Sequence, residues 1–393
     1  MSAVSVYFRL NADPLMQILI AITGSLLLCY ALLIFYYHRI WDAIPVPEDL
    51  SAIPNARPVK VSVIIPARNE AARIGICLDA LLAQSYPAEL SEIIVVNDFS
   101  TDGTVARVLD HKLKPTLLNL SDTISGVLNA YKKKAIETGI VHSHGELVIC
   151  TDADCSMGPD WIRTIVSNYI NEKPEFIAAP VKIIPDGSWL SVFQTLDFIS
   201  LQGITGAAVY KSLYPMCNGA NLGYTRKAFE AVGGFTDIDH IASGDDMLLM
   251  KKIQTKFPRK SVYIKDTRAI VSTGPAENIN AFFQQRIRWA SKSSHYKHEP
   301  TLLTLALVYL VNLCLLILFI SCFFYGYWKW LLLLIAFKTI SEYFFVSKVA
   351  SFFEQQSLMK YFPVCQPFHI LYTVIAGSFG SFGKYEWKNR KVK

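Results

Sequence analysis

The sequence lacks several features that mark small secreted, metal-binding or dinucleotide-binding proteins. Its eight cysteines are scattered along the chain and form no C-x-x-C pair. They therefore indicate neither a zinc site nor a disulfide framework, and they fit a reducing compartment. No G-x-G-x-x-G sequence follows the first predicted strand at residues 61–65, which argues against a dinucleotide-dependent oxidoreductase. Internal repeats, low-complexity tracts and a long charged tail are also missing.

Charge of one sign is not in large excess either. The net charge is +6 in 393 residues, and no stripe of basic and aromatic residues accompanies it. This balance suits a surface of anionic lipids better than nucleic acid, so we expect no nucleic-acid partner. Apolar residues, in contrast, are abundant. They make up 52% of the chain, whose mean hydropathy is +0.30, and membrane lipids are therefore expected around part of it.

The first apolar run predicts a transmembrane anchor over residues 1–44. Met16–Tyr37 carries no formal charge and, at about 22 residues, is long enough to cross a bilayer core of about 30 Å. A cleaved signal peptide is the alternative, but its apolar part would be shorter and would end in small residues. Here aromatic residues, His38 and Arg39 follow instead. Four prolines then predict a linker over residues 45–58.

Three further apolar runs predict transmembrane or interfacial helices over residues 299–383, before a basic tail over residues 384–393. The runs are Leu302–Phe324, Trp328–Val346 and Val364–Phe382. The second run carries Lys338 and Glu342, which share one helical face because they are four residues apart. Two interpretations stay open for this pair: a buried ion pair between neighbouring helices, or the wall of a path for an acceptor or glycan.

The distribution of basic residues predicts the topology. One crossing before residue 59 would place the amino terminus outside and the following domain in the cytosol. Three further crossings would then place the basic tail outside, against the positive-inside rule. We therefore expect one late segment to be re-entrant or interfacial. Ser351–Phe362, which combines aromatic with polar residues, can lie along the inner surface.

Alternating strand and helix patterns predict an α/β domain with a mostly parallel sheet over residues 59–298. The predicted strands are Val61–Ile65, Ile93–Val96 and Leu147–Cys150, and the predicted helices are Ala71–Gln84 and Thr101–Leu109. Ligands of such sheets bind beyond the carboxyl ends of the strands. The side chains expected to meet in one crevice there are those of Asn69, Glu70, Asp98, Asp152 and Asp154.

Four motifs follow one another along this domain. They are Asn97-Asp98, Asp152-Ala153-Asp154, Asp245-Asp246 and Gln285-Arg286-Ile287-Arg288-Trp289. Together they resemble the signature of the membrane-bound, inverting family 2 glycosyltransferases, the group that contains cellulose, chitin and hyaluronan synthases and ceramide glucosyltransferase. The resemblance spans roughly residues 61–289. It implies a GT-A fold, which is Rossmann-like with a mostly parallel sheet, flanked by transmembrane helices.

The same resemblance implies where a nucleotide sugar binds. The residues that it assigns to the donor are Pro66, Arg68, Asn69, Glu70, Asp98, Lys132, Asp152, Gln285 and Arg288. Asn97 stands where the family often has aspartate, and Glu137 stands where asparagine is usual. Two structural alternatives stay open: Ser100 or Thr101 caps the next helix, and the lysines of residues 132–134 form a solvated basic face.

Asp152 and Asp154 are the predicted metal ligands. Because they are two residues apart on an extended turn, their carboxylates can lie on one side, one toward the ribose and one toward a cation. A departing nucleoside diphosphate gathers negative charge that a divalent cation neutralises. Mg²⁺ or Mn²⁺ suits carboxylate and phosphate oxygens. Taken alone, this motif also fits a solvated turn.

The resemblance makes Asp246 the general base and places Asp245 beside it in the catalytic site. A carboxylate can take the proton of an acceptor hydroxyl as the anomeric carbon is attacked, and attack opposite the diphosphate inverts that carbon. A pair of acids at a helix start is the alternative. The residues assigned to the acceptor side are Asn218, Gly219, Ala220, Asn221 and Trp289. The segment around Trp289 also fits an amphipathic helix anchored at lipid headgroups.

We therefore expect an integral protein of a bacterial inner membrane with a cytosolic catalytic domain. It would transfer a sugar from a nucleotide sugar, a UDP-sugar in our prediction, to a lipid or lipid-linked acceptor. A processive polysaccharide synthase is the first alternative, although few membrane segments are available for a glycan channel. A non-catalytic membrane protein that binds nucleotide sugars is the second. The scarcity of intramembrane polar residues argues against a transporter.

Overall fold

The computed structural model describes residues 3–46, 58–124, 129–291, 299–380, 385–387 and 390–392. The chain divides into two compact units. A helical unit comprises Met1–Asp42 and Glu277–Gly383, and a sheet unit comprises Ala43–Ala276 and Lys384–Lys393. Most of the predicted proline-rich linker and part of the predicted basic tail lie outside the described residues.

The described strands all belong to the sheet unit. They are β1 (Val61–Ala67), β2 (Ser91–Asn97), β3 (Thr116–Asn119), β4 (Leu147–Cys150), β5 (Ser156–Met157), β6 (Phe176–Ala178), β7 (Val181–Ile183), β8 (Leu222–Thr225), β9 (Ser261–Tyr263), β10 (Val271–Thr273), β11 (Tyr385–Trp387) and β12 (Arg390–Val392). Seven of them form the main sheet in the order β3-β2-β1-β4-β8-β6-β9. Only β8 runs antiparallel to its neighbours there. The predicted α/β fold with a mostly parallel sheet is therefore confirmed.

Helices cover this sheet and build the helical unit. Those of the sheet unit are α2 (Ile74–Leu82), α3 (Thr104–Asp110), α4 (Tyr131–Val141), α5 (Trp161–Glu172), α6 (Trp189–Tyr210), α7 (Arg226–Ala231) and α8 (Met247–Lys256). Those of the helical unit are α1 (Ala3–Ala43), α9 (Ile279–Ser291), α10 (Glu299–Tyr325), α11 (Trp328–Phe352) and α12 (Phe362–Gly380). Short 3-10 turns occur at Ala88–Leu90, Leu120–Asp122, Thr267–Ala269 and Gln356–Tyr361.

The first helices of the sheet unit begin later than the sequence pattern predicts. Helix α3 starts at Thr104 because the Asp102 carboxylate accepts a hydrogen bond from the Thr104 backbone N–H at 3.0 Å. Ser100, one of the two predicted caps, has a different partner. Its Oγ accepts a hydrogen bond from the Asn69 backbone N–H at 3.1 Å. The Asp102 carboxylate thus satisfies one of the free backbone donors at this helix start.

The parallel strands bring the predicted site residues to one edge of the sheet. Strands β1, β2 and β4 are buried, parallel and in register, and their carboxyl ends lie side by side. Strand β8 runs the other way and begins with Leu222 opposite Cys150. The residues just before β8 therefore reach the edge at which β4 ends, so residues 218–221 join the loops that follow β1, β2 and β4.

Helix α4 packs closely on this central part of the sheet. A Cβ atom added to Gly139 would lie 2.6 Å from a side-chain carbon of Ile64 in β1, far inside an ordinary van der Waals contact. Glycine at this position lets the helix approach the strand. The first turn of α4 is thereby fixed near the edge of the sheet where the loops meet.

Three helices of the described chain are long and apolar enough to cross a membrane. They are Pro14–Ala43, Pro300–Tyr325 and Trp328–Phe352. Helix α12, which covers most of the third predicted carboxyl-terminal run and contains Pro367, is not one of them. The predicted interfacial stretch Ser351–Phe362 forms the end of α11 and the following 3-10 turn.

Helix α9 packs on α12 within the helical unit. The Phe282 ring lies 6.0 Å from that of Phe368 and 5.4 Å from that of Tyr372, centroid to centroid. Close approach continues to the end of α9, because a Cβ atom added to Gly380 would lie 2.5 Å from the Cβ of Ala290. The predicted domain boundary at residue 298 therefore differs from the division of the structure, which lies at residues 276 and 277.

A buried polar network joins three helices of this unit. The Lys338 ammonium on α11 donates to Glu342 Oε1 at 2.7 Å and to Gln366 Oε1 on α12 at 2.8 Å. The Tyr30 hydroxyl on α1 donates to Glu342 Oε1 at 2.5 Å, and Gln366 Nε2 donates to Glu342 Oε2 at 2.6 Å. The two charges thus pair on one helix and gain partners from two others, which supports the ion-pair interpretation.

The variant Lys338→Met should destabilise the helical unit strongly. Breaking a buried pair leaves the buried Glu342 carboxylate uncompensated, which costs about 3–5 kcal/mol. In detergent, we expect the thermal unfolding midpoint to fall by roughly 10 °C. Lys348→Met is the matched control, because Lys348 pairs with Asp42 at 3.3 Å on the surface and such pairs contribute about 1 kcal/mol or less. Equal midpoints for the two variants would show that the network carries no stability.

Candidate active site

The loops after β1 and β2 are tied to each other by hydrogen bonds. Arg68 donates from Nη1 to the backbone oxygens of Asp98 at 2.8 Å and Phe99 at 3.0 Å. Asn69, whose φ is 50°, accepts from the Thr101 backbone N–H at 2.8 Å through Oδ1. Arg68 and Asn69, which are predicted to bind the nucleotide sugar, therefore fix the backbone that presents Asp98.

Asparagine at position 97, the departure from the family pattern, has a structural explanation. Asn97 Nδ2 donates to Asn119 Oδ1 on β3 at 3.0 Å, while its Oδ1 accepts from the Ser100 backbone N–H at 3.0 Å. An ionised aspartate has no donor for the first of these bonds. The adjacent Asp98 lies at the strand end with its backbone N–H bonded to Ala67, the end of β1, and is only 2% exposed.

Lys132 is the centre of the acidic site. Its ammonium lies 2.7 Å from Asp152 Oδ1 and 3.3 Å from Asp245 Oδ2. Burial alone would lower the pKa of Lys132, but the carboxylates of Asp152 and Asp245 outweigh burial and raise this pKa. The side chain therefore stays charged and joins the motif after β4 to the motif before α8.

Gly219 lets the chain approach this ion cluster closely. A Cβ atom added to it would lie 3.1 Å from both Lys132 Nζ and Asp245 Oδ2, which is tighter than ordinary contact. The turn is held by Asn218, whose Oδ1 accepts from the Ala220 backbone N–H at 3.0 Å. Asn218, Gly219 and Ala220 thus lie beside the acidic site, and their contact with an acceptor stays a prediction.

Asn221 differs from these three neighbours, because its side chain is fully buried. Its Nδ2 donates to the backbone oxygens of Pro180 at 2.7 Å and Ala269 at 2.8 Å, and its Oδ1 accepts from Trp161 Nε1 at 3.0 Å. Both amide hydrogens and the oxygen are bonded within the core. The geometry favours a structural role for Asn221 over the predicted contact with an acceptor.

Asp246 is the N-cap of helix α8. Its Oδ1 accepts a hydrogen bond from the Met247 backbone N–H at 2.7 Å, and the residue is 8% exposed. The structural alternative for this acidic pair, a helix start, therefore describes part of its role. A cap uses one lone pair of one carboxylate oxygen, so capping does not prevent the group from accepting a proton.

The two carboxylates of the motif after β4 fit a hard divalent cation that shares its coordination with a substrate. Asp154 Oδ2 lies 3.7 Å from Arg73 Nη1 and accepts from Thr273 Oγ1 at 3.4 Å. Among the described residues, no three His, Cys, Asp or Glu side chains are grouped to hold a metal by themselves. Mg²⁺ commonly takes one or two protein carboxylates and completes its shell with phosphate and water. Asp152 and Asp154 suit that arrangement.

The three consecutive lysines of α4 have three different surroundings. The Lys132 side chain is 22% exposed, Lys133 is 2% exposed, and the Lys134 side chain is 41% exposed and pairs with Glu137 at 2.8 Å. A solvated basic face therefore describes only the last of them. The sequence pattern indicated no separate role for Lys133, and it did not indicate Arg73, which reaches Asp154.

Buried thiols near the site are poor nucleophiles. Burial, together with the nearby carboxylates of Asp154 and Asp152, raises the pKa of Cys77 to about 12. Burial likewise raises the pKa of Cys150, at the end of β4, to about 12. The thiolate is the reactive form, so these residues do not indicate covalent catalysis by cysteine.

The Q-x-x-R-W motif lies on α9 in the helical unit. Gln285 Oε1 accepts from Arg286 Nη1 at 3.0 Å. The Arg286 guanidinium is buried and stacks 4.8 Å from the Phe282 ring and 4.3 Å from the Trp289 ring. Such cation–π contacts hold an aromatic ring in place. Arg286 thus positions Trp289, whereas Arg288 is partly exposed.

Comparisons with known proteins relate the sheet unit to glycosyltransferases. Residues 62–233 match the family model described as Glycosyl transferase family 2. The chain is 29% identical over 197 residues to glycosyltransferase AglE of Haloferax volcanii, which aligns 49% of this chain and 60% of that protein. It is 25% identical over 232 residues to poly-β-1,6-N-acetyl-D-glucosamine synthase of Staphylococcus epidermidis, with 58% of this chain and 53% of that protein aligned. The chain thus spans between half and two thirds of the length of these relatives.

A solved structure shows the same fold. Mannosyltransferase PcManGT from Pyrobaculum calidifontis, in complex with GDP-Man and Mn²⁺, superposes with a TM-score of 0.53 and 19% identity, covering 91% of this chain and 99% of that one. Its likeness concerns the architecture alone. The family match includes Lys132, Asp152 and Gly219 of the acidic site and ends before Asp245 and Asp246. The sheet unit therefore has a GT-A-like fold, and residues 62–233 within it match the Glycosyl transferase family 2 model.

Proposed function

We propose that the protein transfers a sugar from a nucleotide sugar to a lipid or lipid-linked acceptor at a membrane, with inversion at the anomeric carbon. The observation that carries this proposal is the Lys132 ammonium, which bridges Asp152 and Asp245 at 2.7 and 3.3 Å. It brings the predicted metal motif and the predicted base motif into one site, although they are far apart in the sequence.

The donor end of this site consists of the loops after β1, β2 and β4. Asp98, presented by the loop that Arg68 and Asn69 hold, is assigned to the nucleotide. Asp152 and Asp154 would hold Mg²⁺ or Mn²⁺ together with the diphosphate, and the cation would neutralise charge on the leaving group. Lys132 lies beside the Asp152 carboxylate and adds a fixed positive charge where the diphosphate departs.

Asp246 is the proposed general base. Its carboxylate takes the proton of the acceptor hydroxyl while the hydroxyl oxygen forms a bond to the anomeric carbon. The bond from that carbon to the diphosphate oxygen breaks, and the nucleoside diphosphate leaves with the bonding electrons. Asp245 and Gly219 shape the wall beside the base. Gln285 and Arg288 on the donor side, and Trp289 on the acceptor side, stay predictions of the family resemblance.

The proposed location is an inner membrane, with the sheet unit in the cytosol. One candidate span precedes the sheet unit in the sequence and two follow it. If α12 does not cross, the basic residues after 383 return to the side of the sheet unit, as the positive-inside rule requires. The small number of spans favours a single transfer to a lipid over a glycan channel. A processive polysaccharide synthase is the second candidate, because one relative is named poly-β-1,6-N-acetyl-D-glucosamine synthase.

A donor screen tests this proposal. Detergent-purified protein is incubated with UDP- and GDP-sugars, Mg²⁺ or Mn²⁺, and a bacterial lipid extract. Released nucleotide and mass-shifted lipids are measured. One active donor with a product heavier by one sugar supports the proposal, and a ladder of products supports a processive synthase. If no donor turns over while nucleotide still binds, the non-catalytic alternative takes its place. The same screen tests our prediction of a UDP-sugar.

Removing one proposed metal ligand should abolish metal-dependent turnover. In Asp154→Ala, we expect nucleotide release to fall by about 100-fold or more at saturating donor, since charge stabilisation by a metal is worth several kcal/mol. Turnover is measured against Mn²⁺ concentration, with Asp110→Ala, an exposed acid on α3, as the matched control. Wild-type turnover and an unchanged Mn²⁺ dependence in Asp154→Ala would contradict the assignment of this ligand.

A further inference from the structure

Lys133 is a buried charge that the mechanism above does not use. Its Nζ lies 2.6 Å from the backbone oxygen of Ile238, 2.7 Å from that of Ile241 and 2.8 Å from that of Ser243. A lysine ammonium has three N–H donors and no acceptor. All three donors therefore have a carbonyl in reach within six residues of chain, the segment just before Asp245 and Asp246.

This segment has few other means of holding its position. It lies between α7 and α8 without helix or strand, and no side chain from Thr236 to Ser243 is buried. Asp237 adopts a left-handed φ of 70°, a conformation that a residue other than glycine rarely takes. Segments with little apolar burial open easily, so the ammonium–carbonyl bonds of Lys133 have a large share in fixing it.

Two further lysines act on the same connection from α8. Lys252 Nζ lies 2.7 Å from the backbone oxygens of both Gly234 and Thr236. Lys256 Nζ also contacts the backbone oxygen of Ala231. These lysines hold the first part of the connection, whereas Lys133 holds the part that leads into the acidic pair. Lys133 is also the buried one of the three.

We propose that Lys133 positions the general base relative to the donor site. Lys132 and Lys133 are consecutive in the first turn of α4, so the side chains leave the helix about 100° apart. Lys132 binds Asp152 and Asp245. Lys133 binds the carbonyls of the segment that leads into Asp245 and Asp246. One helix turn thus sets both the charge in the donor site and the backbone that carries Asp246. Lys133 touches no reacting atom, so it is a positioning residue, and its role rests on the function proposed above.

The test combines kinetics with hydrogen exchange on the full chain in detergent. In Lys133→Met, we expect kcat for sugar transfer to fall at least tenfold, while the donor KM and the Kd for free nucleoside diphosphate stay within twofold. Amide exchange should speed up in residues 236–246 but not in β1. Lys134→Met, which removes the neighbouring exposed ammonium, should change neither kcat nor amide exchange in residues 236–246. Lys133→Arg, which keeps charge and donors, should recover part of kcat.

Several results would overturn this role. One is wild-type kcat in Lys133→Met, and another is faster exchange throughout the sheet unit with loss of nucleotide binding, which would indicate a general structural role. If Lys133→Met fails to fold, Lys133→Gln keeps an amide donor and should show an intermediate kcat; wild-type kcat there would also contradict the proposal. If wild type transfers no sugar, the proposed function fails, but exchange still decides whether Lys133 holds the segment.

Discussion

Asp246→Asn should lower the rate of sugar transfer by about 10²–10⁴ while nucleotide binding is retained. This is the usual contribution of a positioned general base, and asparagine cannot take the proton at neutral pH. Asparagine is as good an N-cap as aspartate, so its side-chain oxygen can still accept the hydrogen bond from the Met247 backbone N–H. The change thus separates the chemical role of Asp246 from its capping role.

The measurement is kcat with the active donor, beside the thermal unfolding midpoint and the Kd for nucleotide. Asp239→Asn is the matched control, because this acid lies in the same connection between α7 and α8 and its side chain is 72% exposed. It should behave as wild type. If Asp246→Asn keeps more than a tenth of the wild-type rate, another group takes the proton. A midpoint that falls with the rate would indicate that the cap, and not the base, is the main role.

Strand patterns and acidic motifs made it possible to predict that the residues following β1, β2 and β4 lie at one edge of the sheet. The apolar residues of β1, β2 and β4 mark parallel strands, and each strand is followed directly by polar residues that the sheet must bring to one edge. Local hydrogen bonds then decide details that the pattern does not contain. The start of α3 at Thr104, for example, depends on the Asp102 carboxylate, which competes with Ser100 and Thr101 for the same role.

The residues whose structural role the sequence did not indicate have backbone partners far away in the chain. Lys133 binds carbonyls 105 to 110 residues further on, and Asn221 bonds to the backbone of Pro180 and Ala269. Every residue carries a backbone carbonyl, so the sequence does not indicate which carbonyl will accept a hydrogen bond from a distant side chain. The packing of α9 on α12 was likewise not predictable from the sequence, because amphipathic spacing predicts a helix but not its neighbour.

Lys132→Met should change the affinities for metal and for nucleotide in opposite directions. The Lys132 ammonium lies 2.7 Å from Asp152 Oδ1, so it competes with a cation for this carboxylate. Removing a like charge at this distance should tighten Mn²⁺ binding by about tenfold, which corresponds to about 1.4 kcal/mol. Nucleoside diphosphate, in contrast, loses a positive partner, and its Kd should rise by about tenfold in the presence of Mn²⁺.

The pH dependence separates this role from a proton-transfer role. Because the pKa of Lys132 is raised in the folded protein, the stability that its charge contributes is fully present below the ordinary lysine value of about 10.4, and it is lost only at still higher pH. The two affinity changes should therefore be constant between pH 6 and 9. Calorimetric titration of wild type and Lys132→Met with Mn²⁺, and then with nucleotide, measures both. Weaker binding of both ligands would mean that Lys132 holds the site together, and competition with the metal would then be the wrong explanation for its position between Asp152 and Asp245.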